Sequence, residues 1–258
     1  MNYKLRTTNP RGFSLTEVLL AVGTLAVGML FIAGTFLVGI HFSTIATEQT
    51  IAAVTADEAF AKIKIYGVNL SSLSTNQQTP FETVVLNPIN PDEFAYPSTN
   101  TVSEKQYYWS ALCRRAGPAP EQLVQVTVFV CRKVGAGTKY RNPADPCNPA
   151  VAIDYPMPVR VGVSGAVGSN VLNIENIENI SWINNGYTIV DNGTGGIYRV
   201  LERYADDPTT PPSVREDRII LLDRRWAGGP PGSVWVVPPP VGSGRNPCIV
   251  VYPTEIRF

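Results

Sequence analysis

Residues 13–40 read FSLTEVLLAVGTLAVGMLFIAGTFLVGI, and only Ser14, Thr16, Glu17, Thr24 and Thr35 in that run are polar. About 20 consecutive apolar residues suffice for a helix to cross a bilayer, so the run predicts one membrane-length helix and constrains everything placed after it. Lys4, Arg6 and Arg11 precede it without an acid, and apart from Glu17 no charged residue follows until Glu48. Under the positive-inside rule the basic end stays in the cytoplasm and the remainder is translocated. A cleaved secretory signal fits less well. Its apolar core is usually about 7–15 residues long and ends at a small-x-small site, and the nearest candidate here, Thr44-Ile45-Ala46, is poor.

What separates a plain anchor from something more specific is Arg11-Gly12-Phe13-Ser14-Leu15-Thr16-Glu17. This string resembles the prepilin processing motif of type IV pilins and type II secretion pseudopilins, and the resemblance covers about residues 1–45. It implies that a prepilin peptidase cuts after Gly12, that Phe13 becomes the first mature residue and is commonly N-methylated, and that residues 1–12 are a basic leader. Cutting before the apolar run leaves the run on the mature protein as an assembly helix. Glu17 is then the unusual residue, because a carboxylate at the centre of an apolar span costs about 3 kcal/mol, and less near the interface. The resemblance implies that it pairs with the N-terminal amine of a neighbouring subunit; lying at headgroup level near a helix N-terminus is the plainer alternative. Leu19, Leu20, Val22, Leu25, Val27, Leu30, Phe31 and Phe36 would supply the apolar surface. Gly23, Gly28, Gly34 and Gly39 permit close helix approach. No proline lies between Pro10 and Pro80, so any kink of the kind many pilins carry must come from these glycines.

Past residue 40 the pattern turns amphipathic, with Ile45, Ala52, Ala56, Phe60 and Ile63 at helical intervals beside Thr47, Glu48, Gln49, Asp57, Glu58 and Lys62. A helix from Ser14 to Tyr66, stopping at Gly67, would be roughly 80 Å long at about 1.5 Å per residue. Its second half is expected to be a stalk whose apolar stripe packs on a globular domain, so that residues 13–67 form helix and stalk. Residues 68–106, rich in Asn, Ser, Thr, Gln and Pro, read as a connecting loop.

Strands are predicted over 107–113 and 123–133, the latter alternating Val124, Val126, Val128 and Val130 with Gln125, Thr127, Phe129 and Cys131, around a turn at Gly117-Pro118-Ala119-Pro120. Further strands are predicted at 159–163, 171–174, 180–183, 187–190, 197–204, 218–222, 233–237 and 248–258. No long helical pattern intervenes, so 107–258 reads as an exported antiparallel sheet domain and the fold class as α+β, pilin-like. Prolines at 208–212, 230–231 and 238–240 read as stiff surface loops, and Arg224-Arg225-Trp226 as an exposed patch or a strand end.

Cys113, Cys131, Cys147 and Cys248 all lie on the exported side, where disulfides are permitted. In a hairpin turning at 117–120, Cys113 sits opposite about residue 124, leaving Cys131 roughly 20 Å away, beyond the reach of about 7 Å that a bridge needs. The pairs expected are Cys131 with Cys147 and Cys113 with Cys248, with free buried thiols as the alternative. Asp191-Asn192-Gly193-Thr194-Gly195-Gly196 is an oxygen-rich loop of the kind that holds calcium, although a hairpin turn accounts for the same residues. The acidic bend at Asp206-Asp207-Pro208 reads likewise as an ordinary turn.

His41 is the only histidine and lies at the membrane end of the helix, so no Ser/His/Asp or Cys/His site can be built in the exported domain. The carboxylates there, Asp145, Asp154, Glu175, Glu178, Asp206, Asp207, Glu216 and Asp217, form no recognisable pair. Lys and Arg total 21, as do Asp and Glu, and three of the basic residues sit in the leader. The exported part is therefore short of positive charge, and neither a nucleic acid nor a cofactor is expected. The sequence thus points to a non-enzymatic minor pilin or pseudopilin. Its expected partners are other such subunits, the prepilin peptidase, an inner-membrane assembly platform and membrane lipid. Its expected place is the inner membrane, single pass, with the C-terminal domain in the periplasm or in a surface filament. The alternative is a single-pass protein with an extracytoplasmic binding or adhesion domain; an adhesin or DNA-uptake tip joins the two, with DNA disfavoured by the charge balance.

Overall fold

The computed structural model describes residues 12–98, 105–117, 122–204, 218–229, 232–242 and 244–258. Leader residues 1–11, part of the connecting loop, most of the 117–120 turn, prolines 208–212 and 230–231, the bend at Asp206-Asp207, and Glu216 and Asp217 lie outside them. The chain divides into two compact units, the first ending at Glu48 and the second running from Gln49 to Phe258. The division falls within helix α1 (Leu15–Tyr66).

α1 starts and stops where the chemistry dictates. Ser14 accepts the Glu17 N–H on its hydroxyl (3.2 Å), and its carbonyl accepts from Glu17 and Val18. At the other end Gly67 adopts φ +72° and donates its N–H to Ile63 O, a left-handed cap that a residue with a Cβ resists. Within the apolar run the threonines satisfy themselves: Thr24 and Thr35 donate to Ala21 O and Ile32 O, both 2.9 Å. This helix is long and apolar enough to cross a membrane.

In the second unit, Ala52, Thr55, Ala56, Ala59 and Ile63 are buried. Their spacing by threes and fours gives one helical stripe, which shares a core with the sheet. Ile45, expected in this stripe, is exposed, whereas Lys62, expected on the polar face, is buried. Its ammonium is held by Glu58 (2.6 Å), by Glu93 (2.8 Å) and by the Glu93 carbonyl (2.8 Å). A buried charge stays only where several partners converge on it. Lys62→Met keeps the stem but leaves two carboxylates facing each other. Because both still reach solvent, the expected loss is about 2 kcal/mol, read as a lower midpoint in urea denaturation of the full chain. An unchanged midpoint would mean that the three groups do not act together.

Residues 68–106 are more structured than a connecting loop. Strand β1 (Thr79–Pro80), a helical turn α2 (Phe81–Val84), a 3-10 turn (Pro91–Phe94) and strand β2 (Ala95–Tyr96) lie within them. Phe81, Phe94 and Trp109 form an aromatic cluster, with Phe94 and Trp109 centroids 4.8 Å apart, and the Trp109 indole donates to Glu93 O (2.9 Å). The short apolar stretches in this polar segment are therefore plugs for the core.

Strands β3 (Tyr107–Arg115) and β4 (Leu123–Arg132) pair antiparallel, with Cys113 opposite Val126, two residues from the register expected. The sheet order is β1-β3-β4-β11, with β2 also on β3 and β11 (Cys248–Arg257) at the far edge. Val124, Val126, Val128 and Val130 join the α1 stripe in one core. Phe129 and Cys131 on the opposite face are buried too, with Leu112, Val190, Trp235 and Val237. The strict alternation of β4 thus serves two cores.

The strands form two sheets, one of them closed, where a single antiparallel sheet was expected. Strands β5 (Val159–Ser164), β6 (Val171–Ile174), β7 (Thr188–Asp191), β8 (Ile197–Arg203), β9 (Ile219–Leu222) and β10 (Gly232–Val236) close into a barrel in the order β10-β5-β6-β9-β8-β7. The barrel is inserted between β4 and β11. Every second residue fills it: Val159, Val161 and Val163, then Leu172 and Ile174, Val200, Ile220 and Leu222, Val234 and Val236. Closure removes the sheet edges that a six-stranded insertion would expose. In place of the strand expected at 180–183, Ile180–Trp182 end a 3-10 segment (Ile177–Trp182) that Asn176 caps by accepting the Glu178 N–H, and Ile183 is its extended C-cap. Trp226, expected at the surface, is 1% exposed in the barrel core. The α+β class holds.

Candidate functional site

The residues singled out for processing and assembly meet at the start of α1. Gly12 has open space where a Cβ would sit, and Phe13 is 82% exposed. With Ser14 as the N-cap, Glu17 is the third residue of the helix and Val18 the fourth. Ser-x-x-Glu is the capping-box spacing, and an apolar residue before the cap matched with one at the fourth helical position is the hydrophobic staple. Phe13 and Val18 line one open apolar groove with Glu17, Ala21, Val22 and Leu25. This capping signal was present in the sequence and is not captured by hydropathy alone. It gives the helix a defined first turn beside the Gly12–Phe13 bond. Glu17 lies at the positive end of the helix dipole, and its carboxylate has no partner among the described residues.

The side chains from Phe13 to Ile45 are exposed throughout, including Leu19, Leu30, Phe31 and Phe36. Gly23, Gly28, Gly34 and Gly39 have nothing within 4 Å of a Cβ position. An apolar helix surface of this extent requires lipid or other apolar helices around it.

Asp191 and Asn192 sit at the β7–β8 turn, and their oxygens are already engaged. Asp191 accepts from the N–H groups of Gly193 (3.2 Å) and Thr194 (2.9 Å) and from the Thr194 hydroxyl. Asn192 Oδ1 accepts from the Trp235 indole (2.8 Å) and the Gln78 N–H (3.2 Å). These groups tie the barrel turn to β10 and to the segment before β1, the work of a structural turn. No group of three or more His, Cys, Asp or Glu suited to a metal occurs among the described residues.

The cysteine pairs expected are not the ones the fold brings together. Cys113 lies on β3 and Cys248 on β11, with β4 between them, so these two cannot bridge at a strand spacing of about 4.8 Å. Cys131 stands opposite Cys248, whereas Cys147 is exposed. All four are free thiols in this structure. Burial pushes the Cys113 thiol up to about 12, which keeps it protonated and inert.

One cavity of about 460 Å³ opens beside β3, with Glu82, Ser110, Ile153, Tyr155 and Trp235 in its wall. The Ser110 hydroxyl is buried without a partner. Crowding by protein atoms raises the Glu82 pKa, and burial together with Glu82 raises that of Tyr155.

No protein-family model matches the chain, and no curated protein or solved structure matches it either. The class defined by fold and site is therefore a coarse one: an α+β protein with one helix long and apolar enough for single-pass anchoring, followed by antiparallel β-structure. That arrangement is compatible with a pilin-like architecture.

Proposed function

We propose that this protein is a minor pilin or pseudopilin, a non-enzymatic subunit of a type IV pilus or type II secretion filament. It is inserted in the inner membrane with its basic leader inside, cut by a prepilin peptidase after Gly12, and drawn by the assembly platform into contact with other subunits through α1. The observation that carries this reading is one conjunction: a Gly-Phe bond, a capped helix start at Ser14, Glu17 in the first turn, and an unbroken exposed apolar surface after it. A simple anchor needs only the last of these. The test is the N-terminal sequence and intact mass of the protein from membranes of cells with and without their prepilin peptidase. The expected result is a start at Phe13, one methyl group heavier, that depends on the peptidase. A Met1 start in both strains would overturn it.

The second reading, an anchored extracytoplasmic binding domain, is favoured by the cavity with the orphaned Ser110 hydroxyl. Nothing in it requires cleavage at Gly12, so the same measurement separates the two.

A further inference from the structure

We propose that Cys131 and Cys248 form a disulfide in the mature protein, stapling the C-terminal edge strand to the sheet. The inference rests on the exported placement of the domain, since a disulfide persists only in an oxidising compartment. The two cysteines are direct partners on antiparallel strands β4 and β11. The Arg132 N–H donates to Pro247 O (2.8 Å), so the flanking positions carry the hydrogen bond and the cysteines face each other across a non-hydrogen-bonded site. There Cα atoms are about 4.5 Å apart, inside the range a bridge accepts. The Cys248 thiol donates to the Val250 carbonyl (3.8 Å), a weak contact that it can give up when it turns to Cys131. The register shifts just after Cys248, between Cys248 and Val250, so the ladder is locally interrupted there. A covalent link at that place fixes an edge strand that, among the described residues, pairs with β4 alone, and it closes a loop that contains all six barrel strands.

The chemistry is a two-electron exchange. Cys131 is 1% exposed and Cys248 partly exposed, and burial and the neighbouring Cys248 raise the Cys131 pKa well above its ordinary value. Cys248 therefore meets the oxidant, a small disulfide or a dithiol oxidase. Its thiolate attacks one sulfur of the oxidant's disulfide, forming a mixed disulfide and expelling the first thiolate. Cys131, on losing its proton, attacks Cys248 Sγ and expels the second. Two protein thiols are oxidised, one external disulfide is reduced to two thiols, and the two protons go to the departing thiolates.

The full chain, extracted from membranes with N-ethylmaleimide present, should yield on non-reducing tryptic digestion a species joining residues 116–132 to residues 246–257. Cys131→Ser and Cys248→Ser should each abolish it, and Cys113→Ser and Cys147→Ser should leave it. Reduction should lower the melting temperature by roughly 5–10 °C. Detergent-purified, fully reduced chain incubated with excess oxidised glutathione, then quenched in denaturant containing N-ethylmaleimide, should form the same link. If both thiols remain alkylated after that incubation, or if the link joins Cys131 to Cys147, the proposal is overturned. An alkaline phosphatase fusion after Phe258 reports export separately. An inactive fusion would sink the exported placement while the glutathione result still decides the pairing, and an active fusion with no linked peptide in cells would overturn the disulfide itself.

Discussion

Glu17→Ala is expected to lower the share of the protein recovered in filaments at least tenfold while leaving its export and the melting of the second unit unchanged. On the proposed function, Glu17 offsets the positive charge of a neighbour's Phe13 amine inside a packed bundle of apolar helices. Removing one partner of a desolvated charge pair costs about 2–5 kcal/mol, and about 1.4 kcal/mol is tenfold in an equilibrium. The fold should not respond, because Glu17 lies in the first unit and touches no core residue. Glu17→Gln keeps the shape and loses the charge, so it should fail nearly as badly. The assay is the ratio of sheared filament to membrane pools by immunoblot in cells that retain their other subunits. An unchanged ratio for Glu17→Ala would remove Glu17 from assembly and favour its placement at headgroup level near the helix end.

How much of this was legible in the sequence follows from the range of the interactions involved. The extent of α1 was, because its apolar run, its helical periodicity and Gly67 are all local. So were most strands, since a period of two needs no knowledge of the partner strand. What could not be read was which strand pairs with which. Val159, Val161 and Val163 announce one buried face, but nothing in them states that the neighbours are β6 and β10 and that the set closes on itself. The error in the cysteine pairing has the same origin. Nothing local states that β11 lies along β4, and that pairing is what sets Cys248 opposite Cys131. The two-residue shift of the 107–133 hairpin, with Cys113 opposite Val126, leaves Cys113 as far out of reach of Cys131 as expected. Residues 180–183 misled because Ile180, Trp182 and Ile183 are all buried, and over so short a stretch a 3-10 turn and a strand leave the same trace. Lys62 misled because its partner Glu93 is distant in sequence. At the processing segment the reverse holds: Ser14, Glu17, Phe13 and Val18 are all within one turn, so the capping geometry was as readable as the cleavage motif and needed only the side-chain chemistry of helix starts.

Trp226→Ala should be the most damaging single change in the barrel. The ring is 1% exposed and its centroid lies 5.1 Å from that of Tyr198. Tyr198 in turn accepts the Ala227 N–H on its hydroxyl (3.0 Å) and lies under the Arg224 guanidinium at 4.9 Å. A Cβ at Gly228 would come within 2.4 Å of the indole, so the backbone has been brought down onto the ring and cannot readily follow it into the space left behind. Truncating a buried tryptophan costs about 3–5 kcal/mol, and the upper part of that range is expected where the surroundings cannot collapse. In thermal unfolding of the full chain this should appear as a loss of roughly 10 °C. Trp226→Phe, which keeps an aromatic partner for Tyr198, should lose less than half as much. A further contrast tells whether the two cores melt as one. Phe129 and Cys131 on the sheet pack with Val190 and Trp235 on the barrel, so Trp226→Ala should move the whole transition rather than split it. A separate early transition would show that the barrel unfolds alone, and a melting temperature within 2 °C or so of the parent would mean that the indole is not buried in solution.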